Sequence, residues 1–332
     1  MQIIYTDETG KWRGATEIFD LDLSYGVDEN DYRITFALED ARALEREGLK
    51  SGSYLFVPGT EWGGIVDRKA VDYTGKYPTV SYEGRTWHGI LAGSIIKPDP
   101  GATHLTLSGD CNEIIRQVIE RQGLQEIFEV EEPAGVETTY KFYRYIDAYK
   151  GLRLMLQSAG RRLKITRREG SACSISSEPV RVFDNGIDNN FLKLKIEKDE
   201  RPINHLICLG EGQGASRVVI DLYADDAGKV STAQTFFGKD ERAEVYDYNN
   251  ANREELTEKG TEKLEEYQEK SEVDIRVDDN TGMAIGDIIV ARSTDIPVTT
   301  RTRVSQLIIK AGNGKPPTIS YEPGADDVEY YE

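Results

Sequence analysis

The chain has 332 residues, enough for two domains or three, each able to bury a core of its own. Its 41 Lys and Arg face 59 Asp and Glu, a formal charge of −18, which repels phosphate backbones and argues against nucleic-acid binding as its main task. Apolar β-branched and aromatic runs recur along the whole length, which excludes disorder as the dominant state.

The first hundred residues read as strands. Gln2–Tyr5, Asp20–Tyr25, Tyr32–Phe36, Tyr54–Val57, Gly63–Val66, Ala70–Tyr73 and Thr79–Glu83 are short, rich in Ile, Val, Tyr and Phe, and split by turn residues. Leu21, Leu23 and Tyr25 alternate with Asp22 and Ser24, the pattern of a strand with one face buried. Only Glu39–Glu47 suggests a helix. Many short strands at this spacing predict a barrel or a sandwich, because closure removes exposed edges.

The texture changes at Leu107. Asp110 followed by Glu113 fits a capping box, with the Asp110 carboxylate accepting an early helix N–H while Glu113 reaches back. Ile114, Ile115, Val118 and Ile119 then form an apolar stripe, and Gly123 supplies a stop. A second helix is expected over about Asp147–Ala159, capped by Gly160, and Arg162–Thr166 follows as a strand. The basic stretch Arg161, Arg162, Lys164, Arg167 and Arg168 lies in this alternating segment and reads as a solvated strand face.

Strands return at Leu192–Ile196, His205–Leu209, Arg217–Tyr223, Asp274–Val277, Asp287–Ala291, Val304–Lys310 and Thr318–Tyr321. One helix, about Arg253–Lys270, interrupts them with Leu256, Gly260, Leu264 and Tyr267 on a single stripe and is otherwise Glu- and Lys-rich, as on a surface. The tail after Gly324 is acidic and lacks periodicity. The expected fold is α+β, mainly β: a barrel-like domain over 1–104, a small α+β domain over 105–180, and a second barrel-like domain over 181–325 carrying the helix, with an acidic tail at 326–332.

Cys111, Cys173 and Cys208 are far apart and odd in number, which argues against a disulfide framework or zinc ribbon and for a reducing compartment. The first residues lack the basic start and apolar run of a signal peptide, and no stretch approaches the ~18 apolar residues of a membrane span, so no membrane insertion is expected. Gly210-Glu211-Gly212-Gln213-Gly214-Ala215 satisfies a dinucleotide fingerprint on paper, but a strand follows where a helix should open, so it reads as a hairpin between antiparallel strands. Asp278-Asp279-Asn280-Thr281-Gly282 lacks the alternate ligands and terminal Glu of a calcium loop and reads as a turn. His88, His104 and His205 are widely separated and read as structural. Glu61 beside Trp62 and Glu83 near Trp87 are the only acids close to tryptophans, as a sugar site might use, and they read as surface acids beside core indoles. No catalytic, cofactor-binding or metal residue is singled out.

A succession of short motifs remains: Trp62-Gly63-Gly64-Ile65-Val66, Glu83-Gly84-Arg85-Thr86-Trp87-His88-Gly89, Ile95-Ile96-Lys97-Pro98, Ser108-Gly109-Asp110-Cys111-Asn112-Glu113 and Tyr143-Arg144-Tyr145-Ile146-Asp147, then Gly210-Glu211-Gly212, Arg217-Val218-Val219-Ile220-Asp221 and Ile285-Gly286-Asp287-Ile288-Ile289. In this order, over roughly residues 15–325, the chain resembles the tail-tip, or baseplate, hub proteins of siphophages and prophages of Gram-positive bacteria, which are themselves similar to the hub of contractile tails. The resemblance implies a non-enzymatic structural role in the virion tail, assembled in the host cytoplasm. It implies a homotrimeric ring that closes the tail tube, seats on the distal tail protein ring and carries the tip or spike, beside tape-measure proteins. DNA would pass through its channel without specific binding, and no cofactor is implied. Trp62, Gly63, Gly64, Gly84, Arg85, Trp87, Gly109, Asp110, Gly210, Gly212, Arg217, Gly286 and Asp287 are then structural motif positions. The rival expectation is a tail-associated peptidoglycan hydrolase working with paired carboxylates, and a third is a carbohydrate-binding β-module.

Overall fold

The structure is a computed structural model that describes residues 1–170, 172–183, 192–198, 201–249, 251–269, 271–277, 282–293, 298–312 and 314–324. The expected turn at 278–281 and the acidic tail at 326–332 lie outside the described residues. Two compact units emerge: Met1–Leu194 with Ile275–Glu332, and Lys195–Asp274.

In the first unit the alternation of Leu21, Leu23 and Tyr25 does what its period dictates, turning them inward on strand Asp20–Gly26 while Asp20 and Asp22 face out. That strand pairs antiparallel with Asp31–Ala37 on one side and with the long strand Val298–Gly312 on the other. The resulting eight-stranded sheet runs Val182–Phe183, Ile288–Ser293, Val298–Gly312, Asp20–Gly26, Asp31–Ala37, Thr79–Arg85, Arg68–Asp72, with Thr318–Gly324 also paired to Val298–Gly312. A four-stranded sheet is built from Trp12–Thr16, Ile3–Thr6, Tyr54–Phe56 and Gly63–Ile65.

The mainly β, α+β character matches the sequence, but among the described residues none of the sheets closes into a barrel. The edges of the largest explain why. One is the two-residue strand Val182–Phe183; the other, Arg68–Asp72, is exposed throughout and carries Arg68, Lys69 and Asp72. A short edge and a charged edge both resist further pairing.

Helix α1 (Leu38–Arg46) appears where expected, with Glu39 and Asp40 in its first turn, where carboxylates oppose the positive end of the helix dipole. Helix α2 (Trp87–Ala92) was not legible. Its six residues are buried nearly all round, so no amphipathic stripe marks it, and only the Thr86 Oγ1 that accepts the Gly89 N–H at 3.1 Å betrays the start. Helices α3 (Cys111–Gln122) and α4 (Ala148–Ser158) begin at Asp110 and Asp147 as capping residues; Gly123, at φ +68°, ends α3 as predicted. Around them lie the pair Leu105–Asp110 with Glu137–Phe142 and the three-stranded sheet Phe128–Val130, Cys173–Pro179, Arg161–Arg167.

One cluster of buried side chains serves this whole region: Ile4, Phe56 and Trp87 pack with Ile114, Ile115, Phe142, Leu152 and Ile165. This cluster takes residues from both sides of the expected line between 104 and 105, and the first and last expected domains contribute strands to one sheet.

In the second unit a four-stranded sheet, Val230–Ser231, Val219–Ala224, His205–Leu209, Ala243–Asp247, is covered by helix α5 (Arg253–Glu269). Asn252 Oδ1 accepts the Glu254 and Glu255 N–H groups while Glu255 Oε2 accepts from the Asn252 N–H, a complete capping box. Leu256 and Leu264 of the predicted stripe are fully buried against Leu206, Cys208 and Leu222.

Candidate functional site

Gly63, Gly64, Gly84 and Arg85 meet at a crossing of backbones. A Cβ on Gly64 would stand 2.0 Å from the Arg85 carbonyl oxygen, and one on Gly84 would stand 1.9 Å from that of Ile65. Only glycine lets the two sheets approach this closely. Gly63 is buried beside Phe56 in the same approach. Arg85 holds the crossing from outside, its Nε and Nη2 donating to Asp67 Oδ2 and Oδ1 at 2.9 Å each. Trp62 is half-buried.

Trp87 is fully buried next to this crossing, and the guanidinium of Arg167 lies over its ring, over Tyr54 at 4.4 Å and over Phe56 at 5.0 Å. Reading Arg161–Arg168 as a solvated face is thus corrected for two of its members: Arg162 and Arg167 are 7% and 6% exposed. Cys173 lies 3.9 Å from Arg167 Nη1, yet burial pushes its thiol up to about 12. Burial likewise raises Cys208 to about 11 and lifts Cys111, so all three thiols are buried, protonated and free.

Gly109 and Asp110 start α3. Asp110 Oδ1 accepts from the N–H of Asn112 and of Ala134, both at 2.8 Å, and Oδ2 from that of Val136 at 3.0 Å. Burial raises this carboxyl, but the backbone donors outweigh it and hold it below the usual range. Glu113 does not reach back as the capping box requires; Arg116 takes it at 3.1 Å.

Gly286 and Asp287 form a second joint. Asp287 is completely buried, receives the Arg181 backbone N–H at 3.0 Å and Arg181 Nη2 at 2.5 Å, and faces Arg162 Nε at 3.2 Å. Arg162 in turn donates from Nη2 to Glu178 at 2.5 Å. One carboxylate thus ties strand Arg161–Arg167 to the strands of the eight-stranded sheet.

In the second unit the glycine-rich segment joins two antiparallel strands, as expected. Arg217 closes the loop, donating from Nε to the Gly210 carbonyl at 2.9 Å and from Nη2 to Asn249 at 2.6 Å, while Gly212 turns at φ +103°. His205 stands between Glu241, 2.6 Å from Nδ1, and Asp221, 3.0 Å from Nε2, and stacks on Tyr223.

The acids near tryptophans are committed elsewhere. Glu61 sits 3.2 Å from His88 Nε2, and Glu83 is gripped by Arg33 and Arg68. Among the described residues no group of three His, Cys, Asp or Glu is placed to hold a metal ion. The surface offers something different: the hairpin between Arg68–Asp72 and Thr79–Arg85 presents Tyr73 and Tyr77, 69% and 70% exposed. Their protrusion was not legible, since a turn tyrosine reads like a core one.

No family model matches the chain, and no curated protein matches it in sequence. Solved structures do. The prophage tail protein gp18 of Listeria monocytogenes EGD-e aligns over 97% of this chain and 94% of its own, with 12% identity and a TM-score of 0.52. The 43 kDa tail protein of prophage MuSo2 from Shewanella oneidensis aligns over 98% of both chains at 10% identity and TM-score 0.53. A component of the p2 virion baseplate in its activated conformation covers 98% of this chain and 99% of its own, at 10% identity and TM-score 0.50. At such identities the likeness is one of fold: this chain has the architecture of solved phage tail and baseplate proteins.

Proposed function

We propose that the chain is a structural, non-enzymatic component of a phage or prophage tail, a tail-tip or baseplate hub residing in the virion tail. Three copies form a ring that closes the tail tube, between the distal tail protein ring and the tip or spike, with tape-measure proteins as neighbours; DNA passes through without specific binding. The observation that carries this reading is the shared architecture, which runs the length of both chains in each comparison. The motif residues support it from a second side. Their glycines, capping carboxylate and buried ion pairs are spent on holding sheets together, and the acids beside the tryptophans are taken up by His88, Arg33 and Arg68.

The exposed edge strand Arg68–Asp72 and the tyrosines beyond it supply material for ring contacts, since aromatic anchors with a polar rim are what protein interfaces use. The test is light scattering on the purified chain, followed by electron microscopy of particles made with and without it. A trimer, and tails that fail to close in its absence, are expected. A clearing band on cell walls that disappears when a carboxylate pair is removed would overturn the proposal.

A further inference from the structure

His205, 8% exposed, opens strand His205–Leu209 in the second unit, and its ring is held at both nitrogens. Leu206 and Cys208 pack in the core beneath helix α5, so by the two-residue period His205 points to the other face of the sheet. There Glu241 Oε1 lies 2.6 Å from Nδ1, Asp221 Oδ1 lies 3.0 Å from Nε2, and Tyr223 stacks on the ring at 4.3 Å. The two carboxylates come from different places. Asp221 belongs to strand Val219–Ala224, and Glu241 to the segment that leads into the edge strand Ala243–Asp247.

The proton count makes this arrangement conditional. An ionised carboxylate only accepts hydrogen bonds, while a neutral imidazole offers one N–H and one lone pair. With a single proton the ring satisfies one carboxylate and turns its lone pair on the other. With two protons it donates to both. We propose that His205, Asp221 and Glu241 form a pH-operated clamp, closed when the ring carries both protons, that fixes the entry of edge strand Ala243–Asp247 to the body of its sheet.

What the clamp holds is narrow. Glu241 follows the short turn Gly238–Asp240, and Phe237 before that turn is 65% exposed. Asn204 fastens the same segment by bonds that do not titrate: Nδ2 donates to the Asp240 carbonyl at 2.8 Å, and Oδ1 accepts the Arg242 N–H at 2.9 Å. Arg201 holds Asp240. Opening the clamp therefore loosens residues 237–242, and with them the presentation of Phe237, without unfolding the unit. Tyr223 keeps its proton through the neutral range, because burial and the charges of Asp221 and Glu241 push its phenol up.

The experiment is hydrogen exchange read by mass spectrometry on the full chain from about pH 5.5 to about pH 8.5, the range in which histidines change charge. Exchange times are scaled to the intrinsic rate at each pH. Peptides covering residues 236–243 should lose protection as pH rises, their opening growing about threefold to tenfold, as suits partly exposed hydrogen bonds to charged groups. Peptides from helix α5 should not change. Glu241→Gln and Asp221→Asn each supply an amide that can donate to the lone pair, so the pH dependence should vanish in both while circular dichroism is unchanged. His205→Phe keeps the stack on Tyr223 and removes both bonds, leaving the segment equally open at every pH. Protection that stays constant with pH in the parent, or a pH dependence that survives in His205→Phe, would overturn the clamp.

Discussion

The guanidinium of Arg167 lies 5.2 Å from the ring centroid of Trp87, with both side chains buried. Tyr54 and Phe56 close the cage, so a permanent charge is held by three π-faces. The same arginine anchors its strand to the neighbouring loop through backbone contacts, its carbonyl accepting the Gly59 N–H at 2.7 Å. Arg167→Ala should remove the cage's filling and leave a cavity beside Trp87, lowering stability by about 3 kcal/mol. Urea unfolding followed by tryptophan fluorescence measures it, and a midpoint within error of the parent would show the cage to be decorative.

That arginine also shows how much was legible and where legibility stopped. Leu163 and Ile165 share its face of the strand by the two-residue period, so its inward position could have been read had charge not argued the other way. Helices α3 and α4 announced themselves because capping aspartates and stopping glycines act within a few residues. The open sheet did not, because the partner of Asp20–Gly26 is Val298–Gly312, some 280 residues along the chain, and no local pattern encodes that pairing.

The crossing of Gly64 and Gly84 yields a sharper test. Because each would place a Cβ about 2 Å from a carbonyl oxygen of the other strand, the obstacle is backbone and no side chain can swing away. Gly84→Ala should force the sheets apart and cost more than ~3 kcal/mol, or abolish soluble expression. Gly75→Ala is the control, since its nearest obstacle is 3.5 Å away, and it should leave the unfolding temperature within a degree or two. Equal behaviour of the two variants would refute the crossing.

Acid sensitivity follows from two carboxylates with lowered pKa. Asp7 is brought to about 2, chiefly by the Thr9 hydroxyl, with help from the Lys11 N–H and Arg13; Asp110 is lowered by backbone donors despite its burial. Folding stabilises the charged form of each. Their contribution is therefore complete above the unfolded-state value of about 4 and is lost as pH falls through the folded value. Asp110→Asn cannot accept all three N–H groups and should destabilise by ~1–2 kcal/mol at pH 7. At about pH 3 the gap to the parent should narrow. Calorimetry at both pH values decides, and a gap that widens on acidification contradicts the sign.

On the proposed hub reading, assembly should separate from folding at Tyr73 and Tyr77. Both rings stand largely in solvent at the end of the charged edge strand, so serine in their place removes little buried area from the isolated chain. The double variant should keep its circular dichroism and unfolding temperature while losing the trimer in light scattering, and particles made with it should lack a closed tail end. Were the unfolding temperature to fall as well, the tyrosines would be supporting the hairpin itself. Were trimer and particles both to form normally, the ring contacts would have to be sought on another face. The hub reading predicts the first outcome because an interface stripped of its aromatic anchors loses most of its binding energy while the free subunit loses almost none.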